Sequence, residues 1–254
     1  MKTDLDQYFM IDRSLIKRII DYSDLKKDDI VLEIGPGKGF LTKEIVKKCQ
    51  VIAVEKDEIF KKDLDKLARI NKNLKIMFGN ILKIMKKLKF NKVISNIPYS
   101  ISEPLFKQLF RIQPELIVIT VSHSFADKLL DENSKIGLQT SLFFDIEIKE
   151  KVPNKAFVPR PRTESSVVKL IPKEEESLST LDIVLRSFIL LNDKKTKNAL
   201  MEAIVKGLDL TKRKAKEIIT NLDLSKKVLE KNSDLLSSSE FLMLKSSLTE
   251  VLSK

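Results

Sequence analysis

The chain has 254 residues, with 47 Lys and Arg against 36 Asp and Glu for a formal charge of +11, a balance that favours a polyanionic partner. Its one cysteine, Cys49, excludes an internal disulfide and suits a reducing, cytoplasmic setting. The absence of an apolar run near ~18 residues excludes a bilayer span, the polar start Met1-Lys2-Thr3-Asp4-Leu5-Asp6 does not read as a signal peptide, and without paired Cys or His there is no zinc site.

A helix is predicted over 14–22, ahead of the first strand. Ile30-Val31-Leu32-Glu33-Ile34 is apolar and β-branched, as a buried parallel strand requires. It runs into Gly35-Pro36-Gly37-Lys38-Gly39, after which 40–46 reads as a helix. Strand, glycine-rich turn and helix open a nucleotide-binding, doubly wound α/β fold. The third glycine of the dinucleotide fingerprint is missing, with Phe40 and Leu41 in its region, so the loop alone serves a cofactor or a plain βα turn equally well. A second strand over 51–54 ends at Glu55, twenty residues after Gly35, where a carboxylate takes ribose hydroxyls.

Further strands are predicted at 74–78, 92–95 and 116–121, with helical patterns between them. Just after the fourth strand stands Asn96-Ile97-Pro98-Tyr99. This tetrad suits alkylation of a base's exocyclic amine, whose lone pair is delocalised into the ring. The Asn96 oxygen and the Pro98 carbonyl can accept its two N–H bonds and favour a pyramidal nitrogen. Proline stiffens the turn, and Tyr99 offers a ring to a base taken out of its stack. Hydride transfer has no use for such a turn, so the pair of motifs favours S-adenosylmethionine over NAD. Segments 140–148 and 166–171 are predicted to complete the sheet. After Pro172, Lys173-Glu174-Glu175-Glu176-Ser177 reads as a charged linker. Beyond it, helical periodicity with caps at Ser179-Thr180, Asp209 and Ser237-Ser238-Ser239 predicts a small helical domain over 178–254, set against a methyltransferase domain over 1–172.

The sequence resembles the rRNA adenine N6,N6-dimethyltransferases, the family of KsgA, its archaeal and eukaryotic counterparts and the Erm methylases. The resemblance runs from about Gln7 to Leu200. Gln7-Tyr8-Phe9-Met10 is similar to the family's N-terminal Gln-X-Phe-Leu, Leu32 to Gly39 to its first cofactor motif, and Val54-Glu55-Lys56-Asp57 to its second. Ser95 to Ser102 resembles the catalytic motif, and Ala156-Phe157-Val158-Pro159-Arg160-Pro161-Arg162 with Thr163 to Val168 resembles the segment most specific to this group. The resemblance implies a Rossmann-like S-adenosylmethionine-dependent methyltransferase with a helical C-terminal domain. It assigns Gln7, Phe9, Met10, Gly35, Gly37, Glu55, Lys56, Asn80, Ile81 and Asn96 to the cofactor. Asn96, Ile97, Pro98 and Tyr99 fall to catalysis, with Phe157 on the base face opposite Tyr99.

It further implies dimethylation of two adjacent adenosines near the end of small-subunit rRNA, in an immature small ribosomal subunit, by a cytoplasmic protein expected to be monomeric. Arg160 and Arg162 flank Phe157 and present bidentate forks to phosphate. Lys194, Lys195 and Lys197 stand where the family has a basic Arg-Arg-Lys-Thr-X-Arg-Asn segment, and are expected to touch RNA backbone. The departures are Asp6 in place of Gly, Asn80 in place of Asp, and a changed stretch at Val121-Ser122-His123-Ser124-Phe125-Ala126, whose single histidine reads as structural. Asn80 replaces a charge-assisted bond to the cofactor's adenine amine with one roughly half as strong. Three alternatives are an Erm-type enzyme on large-subunit rRNA, a DNA amine methyltransferase, which would lack the 157–168 motif, and an RNA-binding assembly factor with little chemistry.

Overall fold

A computed structural model describes residues 7–253; the start of the chain, with the expected departure at Asp6, lies outside the described residues. The chain divides into two compact units, residues 1–127 with 145–172, and residues 128–144 with 173–254. The boundary expected at 172–178 therefore misses one exchange, since 128–144 packs with the helical unit.

In the first unit the strands are β1 (Phe9–Met10), β2 (Ile30–Ile34), β3 (Gln50–Glu55), β4 (Leu74–Phe78), β5 (Lys92–Asn96), β6 (Leu116–Ser122), β7 (Phe144–Val152), β8 (Phe157–Val158) and β9 (Ser165–Pro172). Seven form one sheet in the order β4-β3-β2-β5-β6-β9-β7, and β1 pairs with β8 in a separate two-stranded ribbon. Strands β2 to β6 are parallel, and β9 runs antiparallel to β6. The β-branched centres of β2, β5 and β6 are buried on both faces, as helix-covered parallel strands demand. The leading helix α1 (Arg13–Tyr22) turns Leu15, Ile16, Ile19 and Ile20 into the core, and Asp12 caps it by accepting from the Ser14 and Leu15 N–H groups. That i, i+1, i+4, i+5 stripe contributes about 1.5–3 kcal/mol per fully buried side chain.

Sequence order reverses between β2 and β5, and this switch point places a crevice at their carboxyl ends. The β2–β5 ladder pairs only Val31 with Lys92 and Leu32 with Val93. Further along, the Ser95 hydroxyl bridges instead, donating to the Ile34 carbonyl at 2.5 Å and accepting from its N–H at 3.3 Å. The strands are thus held together while they open toward the crevice.

The second unit is helical: α7 (Lys135–Phe143), α8 (Thr180–Leu190), α9 (Thr196–Gly207), α10 (Lys212–Thr220), α11 (Lys226–Glu230) and α12 (Ser238–Leu252). Phe188, Leu200, Ile204, Phe241, Leu244 and Leu248 are buried in its core, where the Phe188 and Phe241 rings lie 6.4 Å apart. Capping boxes open α8 at Ser179 and α12 at Ser237. Two local expectations differ. Thr211, not Asp209, caps α10, because Asp209 takes a positive φ of 50° in the preceding turn. The strand expected at 140–148 begins only at Phe144, because Ser134 caps a helix through the Gly137 N–H and that helix runs to Phe143.

Candidate active site

The crevice holds a cavity of about 420 Å³. Every residue assigned above to the cofactor lines it: Gln7, Phe9, Met10, Gly35, Gly37, Glu55, Lys56, Asn80, Ile81 and Asn96, joined by Ile97, Pro98 and Tyr99. One floor of the cavity is the turn after β2. Gly35, Gly37 and Gly39 all have positive φ, at 66°, 54° and 73°. Gly37 is doubly required, since a Cβ there would come 2.7 Å from Phe9 Cε1. Phe9 in turn packs edge-on to Phe60 at 5.4 Å, with Lys38 Nζ 5.4 Å above its ring.

Glu55 ends β3 with its carboxylate held by three backbone N–H groups. Gly37 donates to Oε2 at 2.9 Å, and Lys56 and Asp57 donate to Oε1 at 2.8 and 2.9 Å. Of four acceptor sites on a carboxylate, one on Oε2 is left for a ligand hydroxyl. Gln7 closes this side by donating to Asp57 at 3.3 Å. Glu33 is buried in the wall, and burial pushes its carboxyl up to about 8; the Thr42 hydroxyl opposes that rise, and the charge of Glu55 adds to it.

Asn80 does more than face the cavity. Its Oδ1 accepts the Leu82 N–H at 3.0 Å and so caps the short helix α4 (Ile81–Ile84). Asn caps as well as Asp does, so this replacement leaves the local fold intact and one lone pair available to a ligand amine.

The tetrad at the end of β5 is arranged as an acceptor site. Asn96 Nδ2 donates to the Tyr8 carbonyl at 2.7 Å. A carbonyl can only accept, so this bond fixes the amide's orientation. Among the described residues Asn96 Oδ1 is then buried without a hydrogen-bond partner, a condition that costs about 1–3 kcal/mol unless a donor arrives. The Pro98 carbonyl already accepts the Ile101 N–H at 3.1 Å, which leaves one lone pair for a second donor. Tyr99 is fixed through its hydroxyl, 2.5 Å from Ser165 Oγ.

Phe157 does not join this group. It is fully buried in the core beside Met10, its partner in the β1–β8 pairing. Strand alternation explains the correction: pairing with Met10 turns Phe157 inward and leaves Val158 exposed. Arg160 and Arg162 follow in the exposed β8–β9 loop and make no ion pair among the described residues. The basic segment of the helical unit is different. Thr196 donates its N–H to the Lys231 carbonyl at 2.8 Å, and Ser233 donates to the Lys194 carbonyl at 2.9 Å. This pinning brings Lys195 to Glu230 at 2.8 Å, while Lys194 pairs with Glu202. Lys197 is exposed and carries no close ion pair among the described residues. Glu202 also takes Lys206, and the two ammonium groups pull its carboxyl down to about 2.

Two outlying groups have structural roles. His123 Nδ1 meets Ser166 Oγ at 2.8 Å while its N–H donates to the Glu164 carbonyl. Cys49 is buried, and burial raises its thiol to about 11, so it packs and does not react. Sequence reasoning missed Tyr8 and Ser95 as parts of the site. Each stood beside a recognised residue, but only the strand geometry shows which way it faces.

The family model described as ribosomal RNA adenine dimethylase matches residues 1–241. The chain belongs to this family. A relative from Methanopyrus kandleri, named a probable ribosomal RNA small subunit methyltransferase A, is 36% identical over 212 residues, covering 78% of this chain and 75% of its own. In fold the chain is similar to a dimethyladenosine transferase from Plasmodium falciparum, with TM-score 0.66 at 24% identity over 96% and 98% of the two chains. It is also similar to the 23S rRNA methyltransferase ErmE, with TM-score 0.62 at 22% identity over 95% and 99%. As a member of the ribosomal RNA adenine dimethylase family, the protein is an rRNA methyltransferase whose methyl donor is S-adenosylmethionine. The crevice fits that donor: a glycine turn that only a Cβ-free residue can make against Phe9, and a carboxylate with one acceptor site to spare.

Proposed function

We propose that the protein dimethylates the exocyclic amines of two adjacent adenosines near the 3′ end of small-subunit rRNA, working as a cytoplasmic monomer on an immature small ribosomal subunit. The observation that carries this reading is Asn96, which lines the cavity and whose buried oxygen lacks a partner among the described residues while its amide nitrogen is committed to Tyr8. The choice of the small subunit rests on the name and 36% identity of the Methanopyrus relative; the ErmE likeness is one of fold.

The bound donor supplies an electrophilic methyl on a sulfonium. The chain's part is to position. Glu55 takes a ribose hydroxyl with its remaining acceptor site, and Asn80 takes the adenine amine. Asn96 Oδ1 and the Pro98 carbonyl accept the two N–H bonds of the target amine and draw its lone pair out of conjugation. Holding two reactants in line in this way supplies about 7–11 kcal/mol of barrier reduction without a dedicated base. The amine proton then leaves to water as the nitrogen gains its methyl. Arg160, Arg162 and Lys197 present cations to phosphate without first breaking an ion pair, whereas Lys194 and Lys195 must exchange a carboxylate for one.

The test is methyl incorporation from labelled S-adenosylmethionine into unmethylated small ribosomal subunits, with large subunits in parallel and Asn96→Ala as control. Dimethyladenosine confined to small-subunit RNA and lost in the variant is the expected result. Label in the large subunit makes the enzyme Erm-like, and subunit binding without label in either makes it an assembly factor.

A further inference from the structure

His123 stands outside the cavity, but it grips the strand that steadies one of the cavity's rings. It opens α6 (His123–Leu130) directly after β6. Its backbone N–H donates to the Glu164 carbonyl at 2.9 Å, and its ring Nδ1 meets the Ser166 hydroxyl at 2.8 Å. Both bonds land at the start of β9, one residue to either side of Ser165. The Ser165 hydroxyl is the one that lies 2.5 Å from that of Tyr99. Antiparallel pairing sets this up, with Ser122 opposite Ser165 and Val121 opposite Ser166, so the turn from β6 into α6 brings His123 against β9. Ser165 and Ser166 are fully buried, where each hydroxyl needs a partner. Successive strand residues point to opposite faces, so the two hydroxyls serve different neighbours. The ring that satisfies one fixes the backbone that carries the other.

We propose that His123 is a positioning residue for methyl transfer: by clamping β9 on both sides of Ser165 it keeps that hydroxyl on Tyr99 and so sets the tilt of the ring beside Asn96. This rests on the reading of Asn96 to Tyr99 as the catalytic turn. Tyr99 leaves a single helical turn, Tyr99–Ile101, straight after Pro98, and Tyr8 packs beside its ring with centroids 5.5 Å apart. Its hydroxyl is the far end of a rigid ring, so a shift of Ser165 is carried to the face on which a base lies. A misplacement of about 1 Å at a reacting group costs up to ~10²-fold, and a single hydrogen bond lost one residue away from the anchor costs a fraction of that. The stretch from Val121 to Ala126, in which this chain departs from its family, thus serves the site through its histidine.

The test is single-turnover methylation of the ribosomal RNA that the wild type labels, at saturating S-adenosylmethionine. His123→Ala should slow transfer about 3- to 10-fold, the equivalent of one hydrogen bond, with affinities for RNA and S-adenosylhomocysteine within twofold of wild type. His123→Asn should restore the rate, because its amide reaches the place of Nδ1. Glu164→Gln breaks the surface pair of Glu164 with Lys151 but neither bond of His123, and should keep the rate within twofold. In a Tyr99→Phe background, where Ser165 has no hydroxyl to hold, His123→Ala should add no further loss. The chain has three tyrosines; with carbon-13 in their rings, His123→Ala should shift the Tyr99 signals and leave those of Tyr22, bonded to Glu150, in place. A His123→Ala rate within twofold of wild type, an equal loss in His123→Asn or Glu164→Gln, additive losses with Tyr99→Phe, or an unmoved Tyr99 signal would each overturn the inference. Tyr99→Ala separates it from the catalytic reading: a full rate in that variant sinks both, whereas a loss there with a silent His123→Ala sinks the inference alone.

Discussion

The crevice of the first unit and the basic surface of the helical unit treat polar groups in opposite ways. In the crevice, acceptors are held in place yet left incomplete: Asn96 Oδ1 has no partner, Glu55 retains one site, and Glu33 is buried with a carboxyl pushed up to about 8. In the helical unit three basic groups that look available are paired internally, Lys194 with Glu202, Lys195 with Glu230 and Lys231 with Glu240, and Lys197 is the exception in its segment. The crevice thus differs from the basic surface in keeping acceptors incomplete along a cavity, although the helical unit also buries an unsatisfied nitrogen at Arg186.

Removing the unsatisfied acceptor tests that view most severely. Asn96→Ala should lower single-turnover methyl transfer roughly 10²–10³-fold, the loss expected when one preorganised partner of the reacting group is deleted. Cofactor affinity measured by calorimetry should change far less. A comparable loss of cofactor binding would make Asn96 a structural residue and erase the contrast.

Glu33 sharpens the comparison through pH. Its folded pKa, about 8, lies above the ordinary 4.5, so the folded protein holds a proton that the unfolded chain releases between those values. Below 4.5 the group costs nothing, and its penalty grows as pH rises through the window and levels off above 8. Glu33→Gln should therefore stabilise the ligand-free protein increasingly from pH 5 to 8, by on the order of a few kcal/mol at the upper end. Denaturant melts of both proteins across that range measure it, and a difference independent of pH would contradict the assigned burial.

Gly37→Ala should weaken S-adenosylmethionine binding by about 1–3 kcal/mol, the cost of holding a non-glycine residue at φ 54°, aggravated by the 2.7 Å approach to Phe9. Titration calorimetry reads it directly. An affinity equal to wild type would show that the turn is only a structural link between β2 and the helix after it.

How much of this was legible in the sequence follows from the range of the interactions involved. Gly35, Gly37, Glu55 and Asn96 to Tyr99 were legible as candidates because strand-turn patterns are local, and the structure brings them to one cavity. Phe157 was misplaced because its facing depends on pairing with Met10, nearly 150 positions away in the chain. Residues 140–143 were read as strand because Thr140-Ser141-Leu142-Phe143 carries no helical period, and only the cap at Ser134 reveals the helix. The lysines at 194 and 195 matched a basic motif, but their carboxylate partners at 202 and 230 arrive through packing of the helices.

That last pair offers the smallest effect and the finest discrimination. Lys195 and Glu230 are both about half exposed, and pairs of this kind contribute only ~0–1 kcal/mol, so Lys195→Met should barely move the denaturant midpoint. Its consequence for RNA depends on whether the paired ammonium reaches phosphate at all. If it does not, the slope of log affinity against log salt for a small-subunit RNA fragment should be the same for Lys195→Met and wild type. Arg160→Ala and Arg162→Ala should each flatten that slope by about 0.7–0.9, one phosphate contact apiece. A change of that size for Lys195→Met, and none for the arginines, would mean that the ion pair opens on RNA and that internal pairing fails to separate structural cations from binding ones.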